Sequence, residues 1–136
     1  MNITLRAGER IYINGAVLRV DRKATLELMN DATFLLETHV MQAEEATTPL
    51  RQIYFVVQVM LMDPASARTT VQLAASLIAK ALEAFEDRQI RQGLDNVLEL
   101  IGRTRYFEAM KQIRTLYPLE QTEMYPSAED KAPHAA

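Results

Sequence analysis

Near residue 37 the apolar residues of this chain change their spacing, and that change limits what the chain can fold into. Before it, apolar and polar residues alternate: Ile3 and Leu5 with Thr4 and Arg6, and Ile11 and Ile13 around Tyr12. Such alternation marks strands with one face buried. After it, apolar residues recur at every third or fourth position, as in Val71, Ala74, Ile78, Leu82 and Phe85, or Ile90, Leu94, Val97 and Ile101. This is the stripe of amphipathic helices. Tyr106, Phe107, Met110, Ile113 and Leu116 repeat it once more. Strands first and helices after make an α+β chain: a small N-terminal antiparallel β meander or roll, then a C-terminal helical bundle, then a disordered tail. Residues 1–37 are read as the sheet subdomain, 38–117 as a helical subdomain packed on it, and 118–136 as a flexible acidic tail. Segregation of this kind argues against a βαβ nucleotide-binding fold.

Local signals set the boundaries. Asn14-Gly15, between Ile11–Ile13 and Ala16–Val20, predicts a tight type I′ hairpin, because both residues tolerate positive φ. Ala7-Gly8 and Asn30-Asp31 are turn pairs, and Thr25–Met29 and Thr33–Leu36 are further short strands. Thr48-Pro49 combines a hydroxyl cap with proline in the first helical turn. The segment it opens, Leu50–Met62, is apolar nearly all round and reads as a buried helix. Such a helix needs cover on most sides. In a chain of 136 residues part of that cover is expected from a second copy, so a homo-oligomer is predicted. Asp63-Pro64 repeats the start signal before a helix over about residues 65–86. Gly102 is a stop, and Pro118 ends the last helix. Beyond it the chain is polar, acidic and alanine-rich, with two more prolines.

Several chemistries have no residues to support them. Cysteine is absent, which removes disulfides, thiolate metal sites and a cysteine nucleophile. His39 stands alone and His134 lies in the tail, so no metal centre is expected. Ser66, Ser76 and Ser127 lack a nucleophile setting, and four scattered glycines form no phosphate-cradling loop. Glu83 and Asp87, four apart, read as a solvated helix face rather than an acid–base pair. No catalytic residue and no cofactor is therefore predicted. Met1–Arg10 lacks the pattern of a signal peptide, and Ile53–Met62 falls well short of the ~20 residues that span a bilayer. A cytoplasmic protein with no membrane partner is expected.

The net charge of −3 hides an uneven distribution. Residues 1–36 carry five basic groups against four acidic, and residues 88–117 carry six against three. Residues 37–87 carry three against seven, and 118–136 one against four. Positive charge is thus confined to the strands and the last helical region.

The most specific stretches are Leu5-Arg6-Ala7-Gly8-Glu9-Arg10-Ile11-Tyr12-Ile13-Asn14-Gly15, Asn30-Asp31-Ala32-Thr33-Phe34-Leu35-Leu36-Glu37 and Ala46-Thr47-Thr48-Pro49-Leu50-Arg51-Gln52-Ile53-Tyr54-Phe55. From about Ile3 to Tyr117 the chain resembles the FlbT family, post-transcriptional regulators of flagellin in alphaproteobacteria. The resemblance implies association with the 5′ untranslated region of flagellin messenger RNA, usually repressing it through faster decay. It also implies a companion regulator of the FlaF type. Arg6–Gly15 is similar, over a short length, to the opening of the carbon storage regulator family, whose first-strand arginines bind untranslated leaders. That likeness selects the strands as the place for RNA.

If Ile3, Leu5, Ile11, Ile13, Leu18 and Val20 face inward, then Arg6, Arg10, Tyr12 and Arg19 face outward, with Arg22 and Lys23 on the next turn. Arginine binds phosphate bidentately and stacks on bases, and Tyr12 offers a stacking surface. A second candidate patch holds Arg88, Arg91, Lys111 and Arg114 with Arg103 and Arg105, the last two flanking a helix start. The alternative is a protein-interaction module that binds flagellin or a flagellar regulator, chaperone-like, and acts on RNA only indirectly.

Overall fold

The early alternation becomes five short strands: β1 (Asn2–Leu5), β2 (Arg10–Ile13), β3 (Ala16–Arg19), β4 (Ala24–Glu27) and β5 (Phe34–Leu36). The structure, a computed structural model, describes residues 1–14 and 16–126. Of the strand neighbours in sequence, β2 and β3 pair with each other, β4 returns to β1, and β5 lies on the far side of β2. All three pairings are antiparallel. The arrangement is a roll of two small sheets, not a meander.

One tight turn organises it. Glu9 N–H donates to Arg6 C=O (3.0 Å), and Gly8 between them has φ 80°. Gly8 N–H then donates to Val20 C=O (2.7 Å), while Val20 N–H donates to Glu9 C=O (3.2 Å). This is a glycine-dependent turn running into a β-bulge, and it bends the chain from one sheet to the other. At the opposite end of the hairpin Asn14 has φ 49°, as the predicted turn requires. Its partner Gly15 lies outside the described residues, as do residues 127–136 of the predicted tail.

The sheets meet around a small core of Ile3, Leu5 and Ile11. Leu35 and Tyr12, a directly opposed pair, lie on the other face of the three-stranded sheet and join the larger helical core. The outward position expected for Tyr12 is therefore corrected: it is half-buried, because β5 and the helices cover that end of the face. Leu18, expected inside, is 47% exposed, because β3 is the sheet edge and overhangs the core.

Helix α1 (Pro49–Met62) begins as predicted, with the Thr48 hydroxyl accepting from Arg51 N–H (3.2 Å). Its Leu50, Ile53, Val57 and Met60 are fully buried. Helices α2 (Ala67–Ala84) and α4 (Tyr106–Met124) pack against it. The connection from the sheet packs there too, held by buried Gln58, whose amide accepts from Met41 N–H (2.8 Å) and donates to Met41 C=O (2.9 Å). The cover of α1 thus comes from the chain itself, and its apolar character does not call for a second copy. Asp63-Pro64 opens a short 3-10 turn, Pro64–Ser66, before α2. Helix α3 (Arg88–Gly102) ends at the predicted glycine. Asp87 is not on a helix face with Glu83. It caps α3, accepting from the N–H groups of Gln89 (2.7 Å) and Ile90 (3.1 Å). Helices α3 and α4 approach closely at buried Gly93, where an added Cβ would come within 2.7 Å of the Leu116 methyls. Among the described residues no helix is long and apolar enough to cross a membrane.

The largest departure from expectation is at Pro118, where α4 does not stop. It continues to Met124 with the proline inside. A proline there forfeits one helical hydrogen bond and crowds the preceding turn. The residues beyond it offset that cost. Glu120 is 1% exposed; it accepts from the Thr48 hydroxyl (2.7 Å) and Leu50 N–H (2.8 Å), and Arg51 lies 3.7 Å away. Glu123 accepts from the N–H groups of Glu86 (3.0 Å) and Asp87 (2.9 Å). Two of the acids that gave this segment the look of a tail, Glu120 and Glu123, are remote caps for the starts of α1 and α3.

Hydrogen bonds to a charged group contribute roughly 1.5–3 kcal/mol each, and a buried donor left unpaired costs about 1–3 kcal/mol. Glu120→Ala is therefore expected to destabilise the fold by about 3 kcal/mol, read as a lower urea midpoint with unchanged slope. Ending the chain after Pro118 should prevent cooperative folding, whereas a mere tail would be removed without effect.

Candidate nucleic-acid interface

The bulged turn decides where the strand arginines stand. Arg6, at its start, is exposed and lies 3.8 Å from Glu9. Arg10 opens β2 directly after the turn, and its own N–H donates to a Glu37 carboxylate oxygen (2.8 Å). Register then sets Arg10 opposite Arg19. Directly opposed residues share a face, so the two side chains leave the sheet on the same side. Both are exposed, and among the described residues neither has an acidic partner within ion-pair distance. Like charges placed opposite each other destabilise a sheet, by up to about 1 kcal/mol. An anion between them reverses that sign. Arg19 also reaches back over the turn, with a terminal nitrogen 3.7 Å from where a Gly8 Cβ would lie.

The other predicted residues spread outward from this pair. Arg22 and Lys23 are exposed on the turn after β3, and Arg22 lies 3.6 Å from Asp21. Tyr12 is on the Arg10 face, but its burial against the helical core leaves less ring for stacking than expected. Arg103 and Arg105 stand apart, at the α3–α4 turn. Each is paired with a neighbour on its own helix or turn: Arg103 with Glu99 (3.0 Å) and Arg105 with Glu108 (3.4 Å). Exposed pairs of this kind contribute about 0–1 kcal/mol and can be given up to a stronger anion. A cavity of about 360 Å³ sets Arg105 and Thr104 near Asn14 at the hairpin's closed end. Arg10 and Arg19 are at its open end, roughly 10 Å away along four residues. The structure thus groups Arg6, Arg10, Arg19, Arg22 and Lys23 at one end and keeps Arg103 and Arg105 at the other.

One grouping has no signal in the sequence. His39, Tyr54 and Arg114 line two adjoining cavities of about 260 and 250 Å³ between the sheet-to-helix connection and α4. Tyr117 lines the first, and Arg51 lies over its ring at 4.4 Å. The residues come from three distant segments, and only the packing of α4 on α1 unites them. Burial holds the Tyr117 phenol well above its ordinary range, with Tyr54 adding to the effect and Arg51 opposing it. Burial also raises Tyr54, against the pull of Arg114. The folded state therefore keeps phenolic protons that the unfolded chain releases near pH 10. Their stabilising contribution is intact below that pH and declines as pH rises above it. Urea midpoints should be insensitive to these phenols up to pH 10 and fall beyond it. In Tyr54→Phe/Tyr117→Phe the alkaline fall should be shallower.

A family model described as "Flagellar protein FlbT" matches residues 1–124, reaching the end of α4. The resemblance expected to close at Tyr117 thus extends over the capping glutamates. The chain is 56% identical over 121 residues to a probable flagellum biosynthesis repressor protein FlbT 2 of Bradyrhizobium diazoefficiens, covering 89% of each chain. A probable flagellum biosynthesis repressor protein FlbT of Mesorhizobium japonicum is 50% identical over 121 residues, 89% of this chain and 82% of the relative. The protein of the same description in Brucella anthropi is 52% identical over 120 residues, 88% and 79% of the two chains. No solved structure matches.

Proposed function

This chain belongs to the FlbT family, and on that premise we propose that it is a post-transcriptional repressor of flagellum biogenesis that associates with the 5′ untranslated region of flagellin messenger RNA and promotes its degradation. The relatives' names supply the repressor part of this reading. The observation that carries the RNA part is the unneutralised Arg10–Arg19 pair, with Arg6, Arg22 and Lys23 around it. Two guanidiniums held side by side by strand register form a ready clamp for consecutive phosphates of a single strand. Sequence preference then comes from base edges and stacking beside the clamp. On this reading faster decay works through a changed leader structure or a recruited nuclease.

A second reading is favoured by a different feature. Val17 and Leu18, 56% and 47% exposed, project from opposite faces of the edge strand β3. Exposed apolar side chains on an unpaired edge suit a protein partner such as a flagellar regulator of the FlaF type or flagellin.

The two readings separate by salt. Titration of the purified protein with a flagellin leader RNA, against a scrambled control, should show preferential binding that weakens steeply as salt rises. Arg10→Glu/Arg19→Glu should reduce leader affinity at least tenfold and flatten the salt dependence while leaving the urea midpoint nearly unchanged. Salt-insensitive binding, or a variant with unaltered affinity, would move the RNA association to another protein.

A further inference from the structure

Among the described residues, strand β3 is the outer strand of the three-stranded sheet. Which of its backbone groups face outward follows from the ladder. Val20 exchanges bonds with the bulge at Gly8 and Glu9, so its N–H and C=O point toward β2. Antiparallel pairing alternates bonded and non-bonded residues. Leu18 and Ala16 therefore point inward as well, and the N–H and C=O groups of Val17 and Arg19 point away from the sheet. Proteins commonly guard such an edge with proline, a bulge or a covering loop. β3 carries no proline, and the bulge lies across from it on the chain leading into β2.

We propose that this edge pairs with the same edge of a second copy of the chain, antiparallel about a two-fold axis at Leu18. A perpendicular two-fold axis keeps each residue on its own face, so allowed partners have the same parity. Centred on Leu18, the register sets Val17 against Arg19 of the other copy and Arg19 against its Val17. Both outward-bonding residues of each strand are then bonded. Leu18 meets Leu18 in a closely spaced non-bonded pair, and Ala16 meets Val20. No arginine stands directly opposite an arginine, and the two most exposed apolar side chains of the sheet are covered. The three-stranded sheets become one six-stranded sheet, in the order β5-β2-β3-β3-β2-β5. A four-residue strand pair is a small interface, so the association is weak and concentration-dependent. It is independent of the RNA reading, because it uses backbone groups and apolar side chains rather than the guanidiniums.

The absence of cysteine allows a clean test on the full chain. Single variants Leu18→Cys, Val17→Cys and Leu73→Cys each place a thiol at an exposed apolar position, the last on α2 as a control. Opposed non-bonded residues bring their Cβ atoms within disulfide reach. With oxidised glutathione as oxidant, Leu18→Cys should form covalent dimer faster than either other variant. Val17→Cys mixed with Arg19→Cys, a wider bonded pair, should cross-link more slowly than Leu18→Cys. Sedimentation of the wild-type chain should show mass rising toward that of a dimer with concentration. Val17→Pro removes an outward N–H that β2 does not use, so it should keep the circular dichroism spectrum and stay monomeric. A wild-type chain monomeric at all accessible concentrations, or equal cross-linking by Leu18→Cys and Leu73→Cys, overturns the proposal. If Val17→Pro misfolds, the cross-linking comparison decides alone.

Discussion

A buried carboxylate holds the helical half together. Glu120 is out of water, yet every partner it needs is present: a hydroxyl, a backbone N–H and a guanidinium, all from the first turn of α1. A helix start exposes N–H groups that require acceptors, and a start packed inside a protein cannot rely on water for them. Thr48 satisfies one of these groups, Arg51 N–H, in the usual local way, and α4 accepts from another, Leu50 N–H, from 70 residues away. Glu123 serves the α2–α3 junction in the same manner. The position of α4 is thus set by two charge-assisted attachments as well as by apolar contact. Gly93 then lets α3 come close enough to complete the packing.

The sheet is positioned by a different logic. Its three-stranded part is apolar on both faces, but different stretches of each face are covered. Ile11 turns to the small core, while Leu35 and Tyr12 turn to the helices. The β5 side is therefore clamped between two cores, and the β3 side is left outside both. The features that suggest function gather on this uncovered side: the opposed arginines on one face, the exposed Val17 and Leu18, and the unpaired backbone edge. The helical half packs against the sheet through Leu35 and Tyr12.

Wherever neighbouring residues decide the structure, it was legible in the sequence. The five strands, the Thr48-Pro49 helix start, the Gly102 stop and the shared outward face of Arg10 and Arg19 all follow from period, capping and turn chemistry. Legibility failed where the deciding partner is distant. Pro118 reads as a terminator because local rules attach a cost to it, and the compensating bonds of Glu120 and Glu123 are made to residues far upstream. Gln58 reads as an interruption in an apolar run, yet it is the anchor for Met41. Tyr12 alternates correctly but lands under β5 and the helices, and Leu18 alternates correctly but falls at an edge. Alternation tells which face a residue takes, not whether anything lies against that face.

The bond between residues 48 and 120 also imposes an order of events during synthesis. Strands β1 to β5 complete all their pairings by residue 36, so the sheet can close while most of the chain is still to be made. Helix α1 leaves the ribosome with its first turn incomplete and stays so until Glu120 has been translated. The strand face that carries the arginines can thus form early, and the attachment of α4 to α1 follows much later. Chains that stop short of residue 120 carry the strand arginines without the completed attachment of α4 to α1.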